Sequence, residues 1–428
     1  MKLFCLILAV CACLLTAAAQ PPPVAVLTGP DANLKLIWVQ SGNRLAAFDA
    51  VDFRLRQTVV LPSEATRNPE RISISSQGAV MVAYTPGEDA SLRRIWQSDP
   101  RYGSMQASAI NERRSAPCVD DLIAATGPEV YLTNDPERLF WFENRPQCFT
   151  RDSSGASGND SVETVFSAWT TNRRGGDVRQ VAEIDFPKCD CTTGACSESC
   201  PQALVWAPEA GISDFFFVTR WVPGQLEPRF LQTDLYRLQN GRWLGQKLDA
   251  PVEAIADAAD HGNVFIEIVS DAGCCGWENE SDDQTLLYRN EQATVIYDER
   301  ERFHNDNYDV SFFTWGVKFS PKGSRIAYTL ASTARTEVEI RLASDGKNNL
   351  EELKRVKQAI ADLPRVEVLN IADPKKVVIS LPGEFAGWLD EKRLLIVQAG
   401  EVVMVEAESG ARTPTQIKAE NAQRVFVR

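Results

Sequence analysis

The stretch that most constrains this chain is Trp315-Gly316-Val317-Lys318-Phe319-Ser320-Pro321-Lys322-Gly323-Ser324-Arg325-Ile326-Ala327-Tyr328-Thr329. It reads as strand, tight turn, strand. Val317 and Phe319 alternate with Gly316 and Lys318, and Ile326 and Tyr328 alternate on one face after the turn. Pro321 presets the backbone angle of the first turn position, and Gly323 can take a positive φ without steric cost. A related unit runs from Arg71 to Thr85, with a four-residue turn ending at Gly78 and a strand ending in Ala83-Tyr84-Thr85. A looser one runs from Gly387 to Val397. Such a chain is a repetitive all-β protein.

The remaining apolar segments are equally short and equally punctuated. Strands are expected at Leu36–Val39, Leu45–Phe48, Glu129–Thr133, Leu139–Phe142, Glu163–Trp169, Val178–Ile184, Phe215–Trp221, Leu235–Leu238, Asn263–Val269, Thr285–Tyr288, Ala293–Tyr297 and Gly400–Val405. Repetition at roughly 40–60 residues favours a β-propeller of four-stranded antiparallel blades over a sandwich, with six or seven blades. Val425-Phe426-Val427 is a candidate last strand lying beside the first blade. One segment breaks the pattern: Leu350, Leu353, Val356, Ile360 and Leu363 fall at helical spacing within 348–363, so an amphipathic helix ended by Pro364 is expected on the propeller rim. Ser153–Asp160 and Thr171–Asp177 read as loops. The expected organisation is a leader over 1–19, an extension over 20–33 and one propeller domain over 34–428, with a cysteine-rich loop at 189–200.

Ser320-Pro321-Lys322-Gly323 followed by Ile326-Ala327-Tyr328 resembles the repeat of TolB-like β-propellers, whose turn is Ser-Pro-Asp-Gly before an Ile-Ala-Tyr strand. Lys322 departs from the usual Asp. Ser75-Ser76-Gln77-Gly78 with Val82-Ala83-Tyr84 is a degenerate copy, and Trp388-Leu389-Asp390-Glu391 with Leu394-Leu395-Ile396 is looser again. The resemblance covers about a fifth of the chain and implies a periplasmic type of scaffold. It does not imply an activity, because propellers host binding and catalysis alike.

The first residues fit export. Lys2 precedes an apolar run from Leu3 to Thr16, and Ala17-Ala18-Ala19 supplies small residues for cleavage before Gln20. The run is short for a membrane span, so a periplasmic or secreted protein is expected. Lipid attachment at Cys11 or Cys13 is a minority alternative, because Val10 stands where a small residue belongs. The formal charge of −13 repels phosphate backbones and anionic lipid, which argues against nucleic-acid or membrane partners. A monomer is expected.

Eleven cysteines occur, and Cys5, Cys11 and Cys13 fall in the leader. Cys118, Cys148, Cys189, Cys191, Cys196, Cys200, Cys274 and Cys275 remain, an even number that suggests structural disulfides of unspecified pairing. The dense group Cys189–Cys200 could instead hold zinc, although its spacing is unusual for that metal. Adjacent Cys274 and Cys275, with Trp277 and Glu278, form a candidate ligand platform. A crosslink to the 189–200 loop is the competing reading. Glu278, Glu280, Asp282 and Asp283 could bind calcium, as could Asp306, Asn307 and Asp309, but neither group has the spacing of the twelve-residue calcium loop. A solvated acidic turn is the plainer reading, and no cofactor is expected. Asn159 and Asn279 are formal glycosylation acceptors.

His261 and His304 are the two histidines. No Gly-x-Ser-x-Gly elbow, His-Glu-x-x-His motif, P-loop or dinucleotide fingerprint occurs. The expected function is a non-catalytic binding propeller holding a protein, peptide or envelope ligand. The alternative is a propeller enzyme, either a metal-dependent hydrolase or lactonase or a quinone-dependent oxidoreductase, with its site near Cys274–Cys275.

Overall fold

The computed structural model describes residues 35–63, 69–74, 78–84, 94–99, 103–107, 129–133, 138–149, 161–172, 177–185, 189–190, 202–208, 212, 214–222, 229–249, 251–252, 254–271, 282–303, 305, 307–343 and 346–428. The leader and the extension before residue 34 lie outside these, as do the platform residues Cys274, Cys275, Trp277 and Glu278.

Seven antiparallel sheets follow one another along the chain. The first blade contains β1 (Leu36–Ser41), β2 (Arg44–Asp49) and β3 (Leu55–Val60). The second holds β4 (Pro69–Ile74), β5 (Val80–Tyr84), β6 (Arg94–Asp99) and β7 (Gly103–Ala107). The third holds β8 (Glu129–Leu132), β9 (Arg138–Phe149), β10 (Ser161–Asn172) and β11 (Arg179–Asp185), with β12 (Cys189–Asp190) added against β10. β13 (Gln202–Trp206), β14 (Phe215–Val222), β15 (Arg229–Gln239) and β16 (Arg242–Lys247) form the fourth, and β17 (Ile255–Ala259), β18 (Val264–Asp271), β19 (Asp282–Arg289) and β20 (Gln292–Asp298) the fifth. The sixth is β21 (Phe312–Phe319), β22 (Arg325–Ser332), β23 (Arg365–Asn370) and β24 (Asp373–Pro382), and the seventh β25 (Glu384–Trp388), β26 (Arg393–Gln398), β27 (Glu401–Glu406) and β28 (Arg412–Lys418).

The last strand, β29 (Arg424–Val427), pairs with β1 and completes the first blade from the inside, in the order β29-β1-β2-β3. The two ends of the described chain thus close a seven-bladed propeller, as the Val425–Val427 segment suggested.

Short alternating strands bury one side chain in two, and a blade has two faces. The apolar side chains therefore fill layers between neighbouring blades. Leu36, Trp38, Leu45, Val80, Val82 and Phe426 form the layer between the first and second blades. Phe140, Phe142, Phe216 and Val218 join the third to the fourth, and Val366, Val368, Phe385 and Trp388 join the sixth to the seventh. Polar pins cross these layers. Thr329 Oγ1 accepts the Phe385 N–H at 2.8 Å, and the Thr285 and Thr314 hydroxyls meet at 2.7 Å.

The Ser320–Gly323 turn forms as expected, with the Gly323 N–H donating to the Ser320 carbonyl at 2.8 Å and Gly323 at φ +69°. Because strands alternate in direction, such first-to-second turns lie on one face, here the turn face. Second-to-third loops and blade-to-blade links lie on the other, the crossover face. The helical insertion joins β22 to β23 and so sits on the crossover face. It contains α2 (Leu350–Ala361); the shorter α1 (Glu299–Phe303) follows β20. Val356 and Ile360 of α2 pack against Tyr308, Val310 and Phe312, and Asn349 accepts the Glu352 N–H at the helix start. No helix among the described residues is long and apolar enough to cross a membrane.

The expectation of disulfides is corrected: no disulfide bond occurs among the described residues. Strand register supplies a physical reason for one pair. Cys148 and Cys189 both align with Val162, from opposite sides. Two strand spacings separate them by about 9–10 Å, beyond the ~7 Å Cα limit for a bridge. Cys118, Cys191, Cys196, Cys200, Cys274 and Cys275 lie outside the described residues.

Candidate functional site in the central channel

The first strand of each blade, with β29 serving for the first blade, lines the ring axis. A cavity of about 730 Å³ opens there among β17, β21, β25 and β29, within the size range of ligand pockets. The local reason is a repeated irregularity. Pairing of β17 with β18 slips between Ile255 and Asp257, that of β21 with β22 between Trp315 and Lys318, and that of β25 with β26 between Phe385 and Gly387. Each slip is an extra residue on the inner strand, and such bulges redirect side chains. Gly316 at φ +64° and Gly387 at φ +146° sit at two of them. A Cβ at Gly387 would come within 2.9 Å of Val427 Cγ2, so glycine there also permits close approach of the closing strand.

The bulge changes the reading of the opening repeat. Alternation holds from Val317 to Phe319, but Trp315 and Gly316 are both turned outward, in the pattern buried Thr314, exposed Trp315, exposed Gly316, buried Val317. Trp315 is 41% exposed and is the one aromatic among the large exposed hydrophobic residues that are described. Its neighbour Trp388 is buried, and its indole N–H donates to the Lys318 carbonyl at 3.1 Å.

Lys318, Arg424 and Arg428 bring positive charge to the cavity lining, and Asp257 and Glu384 negative charge. Asp257 is held in place by the Phe319 N–H at 2.8 Å and faces the Lys318 ammonium at 3.9 Å. The Arg424 and Arg428 guanidinium groups lie over the ring of Phe426 at 5.1 and 5.4 Å, a cation–π arrangement that orders both.

The turn-face rim is braced between blades. Glu391 accepts hydrogen bonds from Ser320 Oγ at 2.7 Å, from the Lys322 N–H at 2.8 Å and from Ser324 Oγ. Burial raises its carboxyl, and the bonds from Ser324, Ser320 and Lys322 outweigh that, holding it below the usual carboxylate range. An acidic residue therefore does cap this turn, supplied by the next blade while Lys322 occupies the third turn position. Lys35 lies close by; burial lowers its pKa, partly opposed by Asp390 and Glu391.

Of the residues singled out from sequence, those that are described lie in different parts of the ring. The platform Cys274–Glu278 lies outside the described residues, bracketed by Asp271 and Asp282, which pair where β18 meets β19 on the crossover face. Asp282 and Asp283 belong to strand β19. Asn307 donates from Nδ2 to Glu352 Oε2 at 2.6 Å, and its Oδ1 accepts the Lys347 N–H. Among the described residues, no group of three or more His, Cys, Asp or Glu side chains is placed to hold a metal. His261 pairs with Asp214 from a left-handed turn, at φ +54°; His304 lies outside the described residues. Asp257, Trp315, Lys318, Glu384, Gln423 and Arg424 were not identified as site residues. A glycine inside an alternating strand, as in Trp315-Gly316 and Ala386-Gly387, is the sequence signal that could have found the bulges.

The fold and the lined channel define a seven-bladed β-propeller with an irregular inner ring. No family model matches the chain, and no curated protein matches it. Among solved structures it is similar to a Bacteroides uniformis protein assigned as a 6-phosphogluconolactonase, at 10% identity over 92% of this chain and 100% of the other, TM-score 0.43. It is also similar to AztD of Citrobacter koseri, at 9% identity over 92% and 97%, TM-score 0.34. A third likeness is to an Agrobacterium tumefaciens protein assigned as TolB, at 10% identity over 92% and 98%, TM-score 0.35. Likenesses at this level carry no argument, and the propeller assignment rests on the strand order.

Proposed function

We propose that the protein is an exported, TolB-like binding propeller that holds a peptide or envelope ligand in its central channel. The observation that carries this reading is the coincidence of three inner-strand bulges, on β17, β21 and β25, around one cavity. A regular inner strand would suffice to close the ring, and bulges recur where a chain re-aims side chains for function. The leader-like residues 1–19 support export, and a lining that combines aromatic and charged groups supports ligand binding. The test is selection of a random peptide library on the mature chain. Selected peptides should lose binding to a Gln423→Trp variant, because Gln423 is an exposed lining position. Peptides that bind this variant as well as the parent would place the ligand elsewhere, and failure to select any peptide would count against a peptide-binding role.

A further inference from the structure

We infer that the extension ahead of the propeller, residues 20–34, docks its proline-rich part in the channel and must be displaced by any other ligand. The inference rests on the channel being the binding site and adds how access to it is regulated. The point of chain entry favours this occupant. The Leu36 N–H donates to the Arg428 carbonyl at 2.7 Å and the Arg428 N–H to the Leu36 carbonyl at 2.9 Å, so β1 begins beside a residue of the cavity lining. Lys35, just before it, borders a depression of about 550 Å³ with Pro321 and Leu389. Pro321 also lines the channel cavity. The chain therefore enters the ring on the turn face, where one residue joins its entry point to the channel.

The extension suits that cavity by length and by chemistry. Gly29-Pro30-Asp31 carries turn residues, which leaves residues 32–34 as a tether. Before the turn, Pro21-Pro22-Pro23-Val24-Ala25-Val26-Leu27 is apolar throughout. Extended at about 3.1 Å per residue it covers roughly 22 Å, against about 26 Å for the eight residues of the inner strand β21. Consecutive prolines hold the polyproline conformation before binding, so they lose little entropy on docking, and they pack on aromatic faces. Trp315 supplies such a face: its indole is 41% exposed in the lining, whereas the neighbouring Trp388 is buried. A Cβ built at Gly316 meets no atom within 4 Å, so the strand surface beside the indole is open. Val397, Ala422 and Val425, all half-buried, offer apolar lining to residues 24–27. No side chain from 20 to 30 is charged, so the fit uses apolar area and shape alone. A segment tethered this closely acts at an effective concentration of order millimolar, enough to compete with a weak free ligand.

The experiment places benzoylphenylalanine at position 24 of the mature chain beginning at Gln20, irradiates dilute protein and maps the crosslinks by mass spectrometry. Crosslinks within one chain to 315–321, 384–388 or 422–428 are expected, and Trp315→Ala should at least halve their yield. In parallel, calorimetry compares a library-selected peptide on the parent and on the double variant Val24→Asp/Leu27→Asp, whose carboxylates resist burial. The variant should bind that peptide at least fivefold tighter, and Gln423→Trp should block binding to both. Absence of crosslinks to those segments, crosslinks between chains only, a yield unchanged by Trp315→Ala, or equal or weaker binding by the double variant would each overturn the inference. Equal binding with the Gln423→Trp block retained would overturn it while leaving the channel as the binding site. Loss of that block would overturn the channel itself.

Discussion

Arg302 and Glu367 provide the sharpest energetic prediction. The guanidinium of Arg302 in α1 donates to both carboxylate oxygens of Glu367 in β23, at 2.5 and 2.8 Å. The Tyr328 hydroxyl donates to the same carboxylate at 2.9 Å and the Ser380 hydroxyl at 3.2 Å. The Glu367 side chain is 2% exposed and that of Arg302 36%. Removing one partner of a fully buried pair costs about 3–5 kcal/mol. Arg302→Ala leaves two hydroxyl donors on the carboxylate and admits some water, so a loss of about 2–3 kcal/mol is expected at pH 7. Burial raises the Glu367 carboxyl, but Arg302, Tyr328 and Ser380 outweigh it and hold the pKa below the ordinary 4.5. A depressed carboxylate contributes stability above its unfolded pKa and loses it as pH falls through the folded value. The difference between parent and Arg302→Ala should therefore be full at neutral pH and shrink below pH 4.5. Urea unfolding at pH 7 and pH 3 measures this. The double variant Arg302→Met/Glu367→Gln should recover most of the loss, since no charge is then left buried alone. A single variant that unfolds like the parent, or a double variant no better than the single, would refute this account of the pair.

Three further substitutions test other joints by thermal or urea unfolding. Ala399 is at φ +49° before Gly400 at φ +75° in the two-residue turn between β26 and β27. Asn tolerates that conformation better, so Ala399→Asn should add about 0.5–1 kcal/mol. Thr329→Val leaves the Phe385 N–H without the hydroxyl it now meets and should cost about 1–3 kcal/mol. Phe426 is 7% exposed in the layer that the closing strand shares with the first two blades. Phe426→Ala should cost about 3–5 kcal/mol.

Legibility from sequence followed the range of the interactions concerned. The Ser320–Gly323 turn and the strands beside it were readable because Pro, Gly and period-two alternation act within a few residues. So was α2, whose period and cap are equally local. The strands β3, β6, β7, β12, β13, β16, β17, β23, β24 and β28 were not recognised. β16 is almost wholly exposed, and Ile255-Ala256-Asp257-Ala258-Ala259 and Asp373–Pro382 lack clean alternation. The bulge at Trp315 eluded the local reading for a different reason. Its register is set by pairing with Thr329 and Ala327 across the hairpin, and Gly316 is compatible with a plain strand as well. The channel residues come from blades far apart in sequence, so Asp257, Lys318 and Arg424 carried no shared motif.

The most direct test of the channel as the functional site is photocrosslinking. A library-selected peptide carrying benzophenone would be irradiated with the mature chain and the adducts mapped by mass spectrometry. Adducts on 315–321, 384–388 and 422–428 are the predicted result. Adducts confined to 272–281 or 189–200, with the channel strands unlabelled, would contradict it.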